Sequence, residues 1–544
     1  MELLPTHATK APTLFFAILS SILKTLESFL RKNESLFLIL LCVASACVHF
    51  YVSILGWNNP LLDQFNHRQT QTAITTFYTI KEGFKLHYIT PVLGAPWSIP
   101  FEFPLFQWIV AAIVLLFKTS LDQTGRFVSL MFFYLSLVPL FAILKSCLKK
   151  KSLVLIILSL TFLNPTYLFW SRTFMIESLA YFLGISYVWL SIRAFQTRKW
   201  KYFAAVPIIG SLAALVKITT FLVLCMPVGC LFVYLYFSEN KRLLPSIYML
   251  KKYALYGILT FIIPLYTGSA WTHIADAQKK INPLANDFIT SKALTSWNFG
   301  TLHQKLDPAV WGTIFKNSLL LDNTFGSMCF GTLQIPNSIV LILLFLVFSK
   351  MYRKEVLLSF LFFLSGPLIF TNLYFVHTYY FYANSIFLSI LLGYIIIAFY
   401  SHNDMKIKCL GTFILFPSLL ISMIFSYKIA YYPRQIMKDN EYPILNTSAA
   451  IKKYTKPDDV IFIYGQDWNP SLPYYAQRKA IMDWKLVPLN DNYMTKSLLK
   501  TGNISAFVIS NSTDEKFIKE QVQHLGFNEI PVYQDNQDRL YLPK

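Results

Sequence analysis

Apolar residues gather in long blocks at 36–55, 127–144, 152–169, 178–196, 202–216, 218–237, 253–271, 336–349, 355–376, 379–400 and 409–428. Blocks of this kind predict membrane-spanning helices, for which about 20 consecutive apolar residues are needed. The shortest reach only 14 or 15 residues, so their ends are loosely placed. One more run, Leu105–Phe117, is 13 residues long and is followed by Lys118, Asp122 and Arg126. At that length it suits a surface-lying segment as well as a span.

The composition agrees with this pattern. The chain of 544 residues is 55% hydrophobic, 17% aromatic and only 14% charged. A soluble protein would carry about 25% charged residues, and so aromatic a chain would not stay disordered. The formal charge of +20 fits either a nucleic-acid surface or basic cytoplasmic loops, and its placement decides between them. With the N-terminus inside and Leu105–Phe117 not crossing, one face collects Lys145, Lys149, Lys150, Lys151, Arg198, Lys199, Lys201, Lys241, Arg242, Lys251, Lys252, Lys350, Arg353, Lys354, Lys406 and Lys408. That is the positive-inside pattern, and no nucleic-acid partner is needed to explain it. The prediction is an α-helical polytopic membrane protein with eleven spans and Leu105–Phe117 at the outer surface. The competing topology counts Leu105–Phe117 and a further helix as spans, giving twelve or thirteen.

This topology divides the chain into a cytoplasmic segment 1–35, a transmembrane domain 36–429 with outer loops 57–126, 170–177 and 272–335, and an extracytoplasmic tail 430–544. The first apolar run follows about 35 residues and precedes no small-residue cleavage site, so it is expected to remain as an anchor. Cys42, Cys47, Cys147, Cys225, Cys230, Cys329 and Cys409 form no CxxC pair and read as small hydrophobes. In the tail, Val460–Tyr464 and 506–510 read as strands and 517–525 as a helix, with 539–542 closing the chain. These predict a small α/β domain, long enough to bury its own core.

The candidate chemistry lies in the outer loops. From Asp63 onward the residues suit a helix with Asp63 as N-cap, which would place Asp63, Asn66 and His67 on one face. A carboxylate with an imidazole one turn away can serve as a general base; the plainer reading is a capping Asp on a wetted interfacial helix. Glu102 sits among prolines and aromatic residues, where an unpaired carboxylate would be costly. Glu177 follows Arg172 across a tight turn, so the two could neutralise each other or serve a site. His377, Thr378, Tyr379, Tyr380 and Tyr382 open another outer turn and suit either an aromatic belt or a lining for sugar and phosphate. Lys217 lies between the runs 212–216 and 218–224, placed to snorkel to the interface or to bind phosphate.

In order and placement these segments resemble the GT-C-type membrane glycosyltransferases, in the branch of the dolichyl-phosphate-mannose protein mannosyltransferases and lipid A aminoarabinose transferases. The matching residues are Asp63 with His67, Arg68, Gln69, Thr70, Gln71, Thr72 and Ala73; Phe101 through Trp108; Ser171, Arg172 and Glu177; His377, Tyr379 and Tyr380; and, in the tail, Gly465 through Pro470 and Pro473 through Ala476. The resemblance covers nearly the whole chain, although each motif is short. It implies transfer of a hexose or pentose from a polyprenyl-phosphate carrier to a glycolipid, polysaccharide or protein acceptor of the cell envelope. The reaction would run on the outer face of a bacterial inner membrane, with inversion and Asp63 as the catalytic carboxylate. Glu102 and Glu177 join it as candidate acids.

Two departures bear on the carrier phosphate. Phe103 stands where the aminoarabinose transferases place a phosphate-contacting Lys, and Glu177 replaces the commoner Asp. The candidate phosphate and donor contacts are therefore Arg68, Lys85, Arg172, Lys217, His377, Tyr379 and Tyr380. No cofactor is assigned; a divalent metal would require Asp63, Glu102, Glu177 and His377 to converge. The alternatives are a transporter or flippase of lipid-linked saccharides, which would carry inverted repeats and mid-membrane charges, and a ligase or polymerase of such saccharides.

Overall fold

Every predicted apolar block falls on helix in the computed structural model. The structure describes residues 11–148, 150–239, 246–317, 337–437, 442–483, 493–510 and 514–544. Lys149, Lys241, Arg242, Cys329 and the 318–335 part of the outer loop lie outside the described residues. The membrane portion begins with α1 (Ala11–Ile54), whose backbone leaves helical geometry at Asn33. It continues through α2 (Asn66–Glu82), α3 (Leu105–Phe117), α4 (Leu121–Cys147), α5 (Val154–Leu163), α6 (Pro165–Trp170), α7 (Glu177–Thr197), α8 (Trp200–Val216) and α9 (Ile218–Glu239). Among the described residues seven helices are long and apolar enough to cross a membrane: Ser35–Ile54, α4, α7, α9, Ile247–Lys279, Thr378–Tyr400 and Met405–Ala430.

Several predicted blocks are broken rather than continuous. The block 152–169 divides into α5 and α6 at Asn164, whose side chain accepts from the Thr166 amide while Pro165 starts the next helix; an N-cap followed by proline is a helix start. The block 355–376 divides at Phe370 into Arg353–Ile369 and Thr371–Val376.

α7 packs against α4, α8 and α9 and sets the dimension of the molecule. Its 21 residues span about 30 Å, with Glu177 at one end and Arg198 at the other. At that far end Arg198 and Lys252 share Glu239, which closes α9. The basic clusters and the outer-loop acids are thus separated by roughly a bilayer core. α3 does not reach that length; it packs on α2 and α4 and exposes Leu115, Leu116 and Phe117.

The tail forms a five-stranded sheet in the order β2-β1-β3-β5-β4. β1 (Val460–Tyr464) is central and parallel to β2 (Lys479–Asp483) and β3 (Ile504–Ser510), while β5 (Asp538–Tyr541) runs antiparallel to β3 and to β4 (Tyr533–Gln534). β1 is a nearly unbroken apolar run because it is buried on both faces, as inner parallel strands are. The strands at 460–464 and 506–510, the helix and the final strand were legible in the sequence; β2, flanked by Lys479 and Asp483, and the two-residue β4 were not.

The sheet is sewn onto the first outer loop. Leu93 bridges Ile481, with Gly94 N–H donating to Ala480 O at 3.2 Å and Ala480 N–H to Pro91 O at 2.9 Å, so loop backbone covers the free edge of β2. Tyr474 and Tyr475 donate to Asp122, Thr70 Oγ1 meets Ser471 Oγ at 3.1 Å, and Lys479 pairs with Glu82 at 2.8 Å. α2 lies between tail and membrane helices, and Gln69 through Thr76 are all buried although mostly polar. Thr70, Thr72, Thr75, Thr76 and Thr79 each return a hydroxyl to the carbonyl four residues earlier, which lets a threonine-rich helix be buried.

Candidate active site

Asp63 does not cap α2. The helix starts at Asn66, after Phe65 in a left-handed conformation at φ 53° and without a side-chain cap. A non-glycine residue there costs about 1 kcal/mol, offset here by the packing of the Phe65 ring against Trp170, His377 and Tyr379 at 5.3–5.8 Å. The reversal turns Asp63 inward, off the helical face predicted to join it to Asn66 and His67. Its carboxylate accepts from Arg172 Nη1 at 3.1 Å and from Gln69 Nε2, and both charged side chains are fully enclosed. Burial explains the preference: an enclosed carboxylate requires a counter-charge, which a capping position at the surface would not.

The other two acids make their own pairs. Glu177 does not neutralise Arg172 but accepts from Lys217 Nζ at 2.5 Å, both side chains being buried. Glu102 is bound by Arg68, whose other guanidinium nitrogen donates to Gln71 at 2.7 Å. Lys217 therefore does not snorkel; it sits beneath Tyr380 and Tyr379, its Nζ 4.3 and 5.2 Å from the ring centroids, in cation–π range. Burial would raise the Glu102 carboxyl, but the Arg68 guanidinium outweighs it and holds the group below the usual range. Burial also pulls the Lys217 ammonium below its ordinary value, against the attraction of Glu177.

Two neutral imidazoles complete the cluster. His67 and His377 lie 6.4 Å apart, ring to ring, and His377 stacks on Tyr379 at 5.2 Å. Burial lowers His67 to about 4, with Arg68 adding to the effect. His377 falls to about 3 through burial and the nearby His67, Arg68 and Lys217. An unfolded histidine titrates near 6.5, so between about pH 6.5 and 4 the unfolded chain binds protons that the folded chain refuses, and stability falls as the pH is lowered through that window. Tm is accordingly expected to decline from pH 7 to 4.5, and His67→Gln with His377→Gln should flatten the decline; a slope unchanged in that variant would assign it to other groups.

The arrangement therefore brings Arg68, Glu102, Glu177, Lys217, His377, Tyr379 and Tyr380 into one electrostatic neighbourhood. Asp63 and Arg172 form their own fully enclosed pair. Lys85 is not among them; it is exposed, 3.9 Å from Glu82, because the chain turns away at Gly83. Lys279, absent from the residues singled out in the sequence, has its Nζ 5.2 Å from the Phe101 ring, and Trp468, within the tail motif Gly465 through Pro470, stacks on Phe101 at 5.6 Å and lies edge-on to His67. Lys279 falls in the predicted outer loop 272–335, where nothing local sets it apart from the adjacent Lys280. Several enclosed polar atoms at the site lack a hydrogen-bond partner among the described residues: Arg172 Nε and Nη2, Glu177 Oε2, His377 Nδ1 and Thr378 Oγ1. No group of three or more His, Cys, Asp or Glu side chains suited to a metal ion occurs among the described residues; each candidate acid faces a cation instead.

Residues 99–267 match the model of the family described as dolichyl-phosphate-mannose-protein mannosyltransferase. Among solved structures, ArnT from Cupriavidus metallidurans bound to undecaprenyl phosphate is similar with a TM-score of 0.58 at 11% identity, over 92% of this chain and 97% of that one. AglB, the archaeal oligosaccharyltransferase from Archaeoglobus fulgidus, in complex with an inhibitory peptide and a dolichol-phosphate, is similar with a TM-score of 0.53 at 11% identity, over 88% and 70% of the two chains. No curated protein matches the chain by sequence.

Proposed function

We propose that the chain, whose fold is that of the GT-C-type membrane glycosyltransferases it resembles, transfers a sugar from a polyprenyl-phosphate carrier to an envelope acceptor on the outer face of a bacterial inner membrane. The observation that carries the reading is the clustering of paired acids and cations, with unpartnered buried polar atoms among them, at the end of the bundle opposite the basic loops. Buried polar atoms are seldom left unpaired without a functional reason. The donor relationship is supported by the carriers bound to ArnT and AglB.

In this reading Asp63 receives the proton of an acceptor hydroxyl as its oxygen attacks the anomeric carbon, and the carbon–phosphate oxygen bond breaks on the opposite side, with inversion. The carrier leaves as a phosphate that gains one negative charge. Lys217 and Arg68 lie where fixed cations would stabilise that growing charge, and the hydroxyls of Tyr379 and Tyr380 and the His377 imidazole supply uncharged contacts. Arg172 and Gln69 orient Asp63 through the hydrogen bonds its carboxylate accepts. Glu102 and Glu177 hold the two cations in position, and because a phosphate is already a good leaving group, no strong general acid is required.

The decisive experiment supplies purified protein in proteoliposomes with a short-chain polyprenyl-phosphate sugar and fractionated envelope acceptors. Protein-dependent release of free polyprenyl phosphate, with the sugar's mass added to an acceptor, is the expected result. Movement of the intact donor across the bilayer without release would identify a transporter instead.

A further inference from the structure

Residues 171–176 form the turn that joins α6 to α7. Two members of the site are mounted on it or at its end: Arg172, which pairs with Asp63, and Glu177, which pairs with Lys217. Arg172 holds Asp63 through Nη1 alone, since its Nε and Nη2 have no hydrogen-bond partner among the described residues. The direction of the guanidinium is therefore set mainly by the backbone from which it springs.

That backbone is held by buried polar side chains. Ser129 of α4 donates to Met175 O at 3.1 Å, Gln69 of α2 accepts from the Phe174 amide at 3.3 Å, and Ser178 of α7 donates to Ser171 O at 3.5 Å. Another comes from α1. His49 Nε2 meets Ser171 Oγ at 3.2 Å, its Nδ1 meets the Tyr134 hydroxyl at 3.0 Å, and its ring stacks on Phe133 with centroids 4.5 Å apart. His49 lies within the spanning segment Ser35–Ile54, where a polar side chain is costly and marks function by default. An apolar side chain could pack on Phe133 as well, but it would not bond the hydroxyl of the residue that precedes Arg172.

We infer that His49 is a positioning residue for the transfer reaction: by fixing Ser171 from inside the bundle, it sets the direction in which Arg172 reaches Asp63. It acts through the turn rather than on the reacting groups. Both ring nitrogens meet hydroxyls, which can donate or accept, so the neutral ring is satisfied in either tautomer and its hold needs no charge. The leverage is large, because a displacement of about 1 Å at a reacting group can cost on the order of 10²-fold in rate. The effect on turnover rests on the proposed role of Asp63; the hold of His49 on the turn does not.

Two amide variants separate the bonds that His49 makes. His49→Gln reaches as far as Nε2 and can still bond Ser171, whereas His49→Asn reaches only as far as Nδ1 and Tyr134. The full-length protein in nanodiscs is compared by hydrogen–deuterium exchange of the 171–177 segment, by Tm, and by kcat and KM for a short-chain polyprenyl-phosphate sugar. His49→Asn and Ser171→Ala are each expected to raise exchange in that segment and to lower kcat by about 10–10²-fold with the donor KM unchanged. Combined, they should do no more than either alone, since they remove the same bond. His49→Gln should retain most of the kcat, and Tyr134→Phe should lower Tm without changing kcat. Wild-type kcat in His49→Asn overturns the inference. So does a loss of kcat that follows Tm across all the variants, Tyr134→Phe included, which would make His49 a packing residue. If the wild-type protein releases no polyprenyl phosphate from the donor, the proposed function fails, and the exchange comparison alone decides whether His49 holds the turn.

Discussion

Asp63→Asn is expected to lower sugar transfer by about 10²–10⁴-fold, the range for loss of a positioned general base, while the protein remains folded in the membrane and still binds undecaprenyl phosphate. The amide keeps the shape of the carboxylate and one oxygen for Arg172 Nη1, which now donates at 3.1 Å, but it accepts no proton. Asp63→Ala should behave differently. Both substitutions leave the enclosed Arg172 without its counter-charge and should lower Tm, but Asp63→Ala also removes the oxygens that accept from Arg172 and Gln69, and since breaking a buried pair costs about 3–5 kcal/mol, its loss of activity would be mixed with a larger loss of structure. Product formation by mass spectrometry, Tm and carrier affinity measured on both variants separate the two effects. Wild-type turnover in Asp63→Asn would remove Asp63 from the chemistry and leave it as the partner that keeps Arg172 buried.

The membrane helices were readable because a span is written locally, as an apolar block longer than any strand or core helix requires. The break at Asn164 and Pro165 was also written there, as a cap followed by proline, but a hydropathy reading passes over it because both sides stay apolar. The site is another matter. Its residues were singled out by their position in outer loops and by resemblance, yet their partners were not readable. Arg172 stands five residues from Glu177, close enough to neutralise it, yet it meets Asp63 across 109 positions and Glu177 meets Lys217 across 40. Ion pairing in an enclosed site is decided by which charges the fold brings together without water, and adjacency in sequence says little about that. The same reasoning covers Phe65: nothing in Gln64-Phe65-Asn66 announces a left-handed turn, which exists because three aromatic rings hold the Phe65 side chain.

Lys217→Met is expected to weaken undecaprenyl phosphate binding by at least about tenfold, the worth of a charge-assisted contact, and also to lower Tm, because Glu177 is then buried without its counter-ion. Both losses follow from one substitution, so the single variant cannot say whether the lysine serves the ligand or the fold. Lys217→Met combined with Glu177→Leu resolves it. Replacing both members of a buried pair with apolar residues of similar volume is often neutral for stability, so the double variant should regain most of the lost Tm. It should not regain carrier binding, since the cation under Tyr379 and Tyr380 is still absent, and Lys217→Arg should retain a measurable part of it. Recovery of both properties in the double variant would make the pair purely structural and move the phosphate contact to Arg68. Recovery of stability alone would mean that the buried charge is kept for the ligand, which the surrounding rings and the unpaired Glu177 Oε2 already favour over a role in holding the helices together.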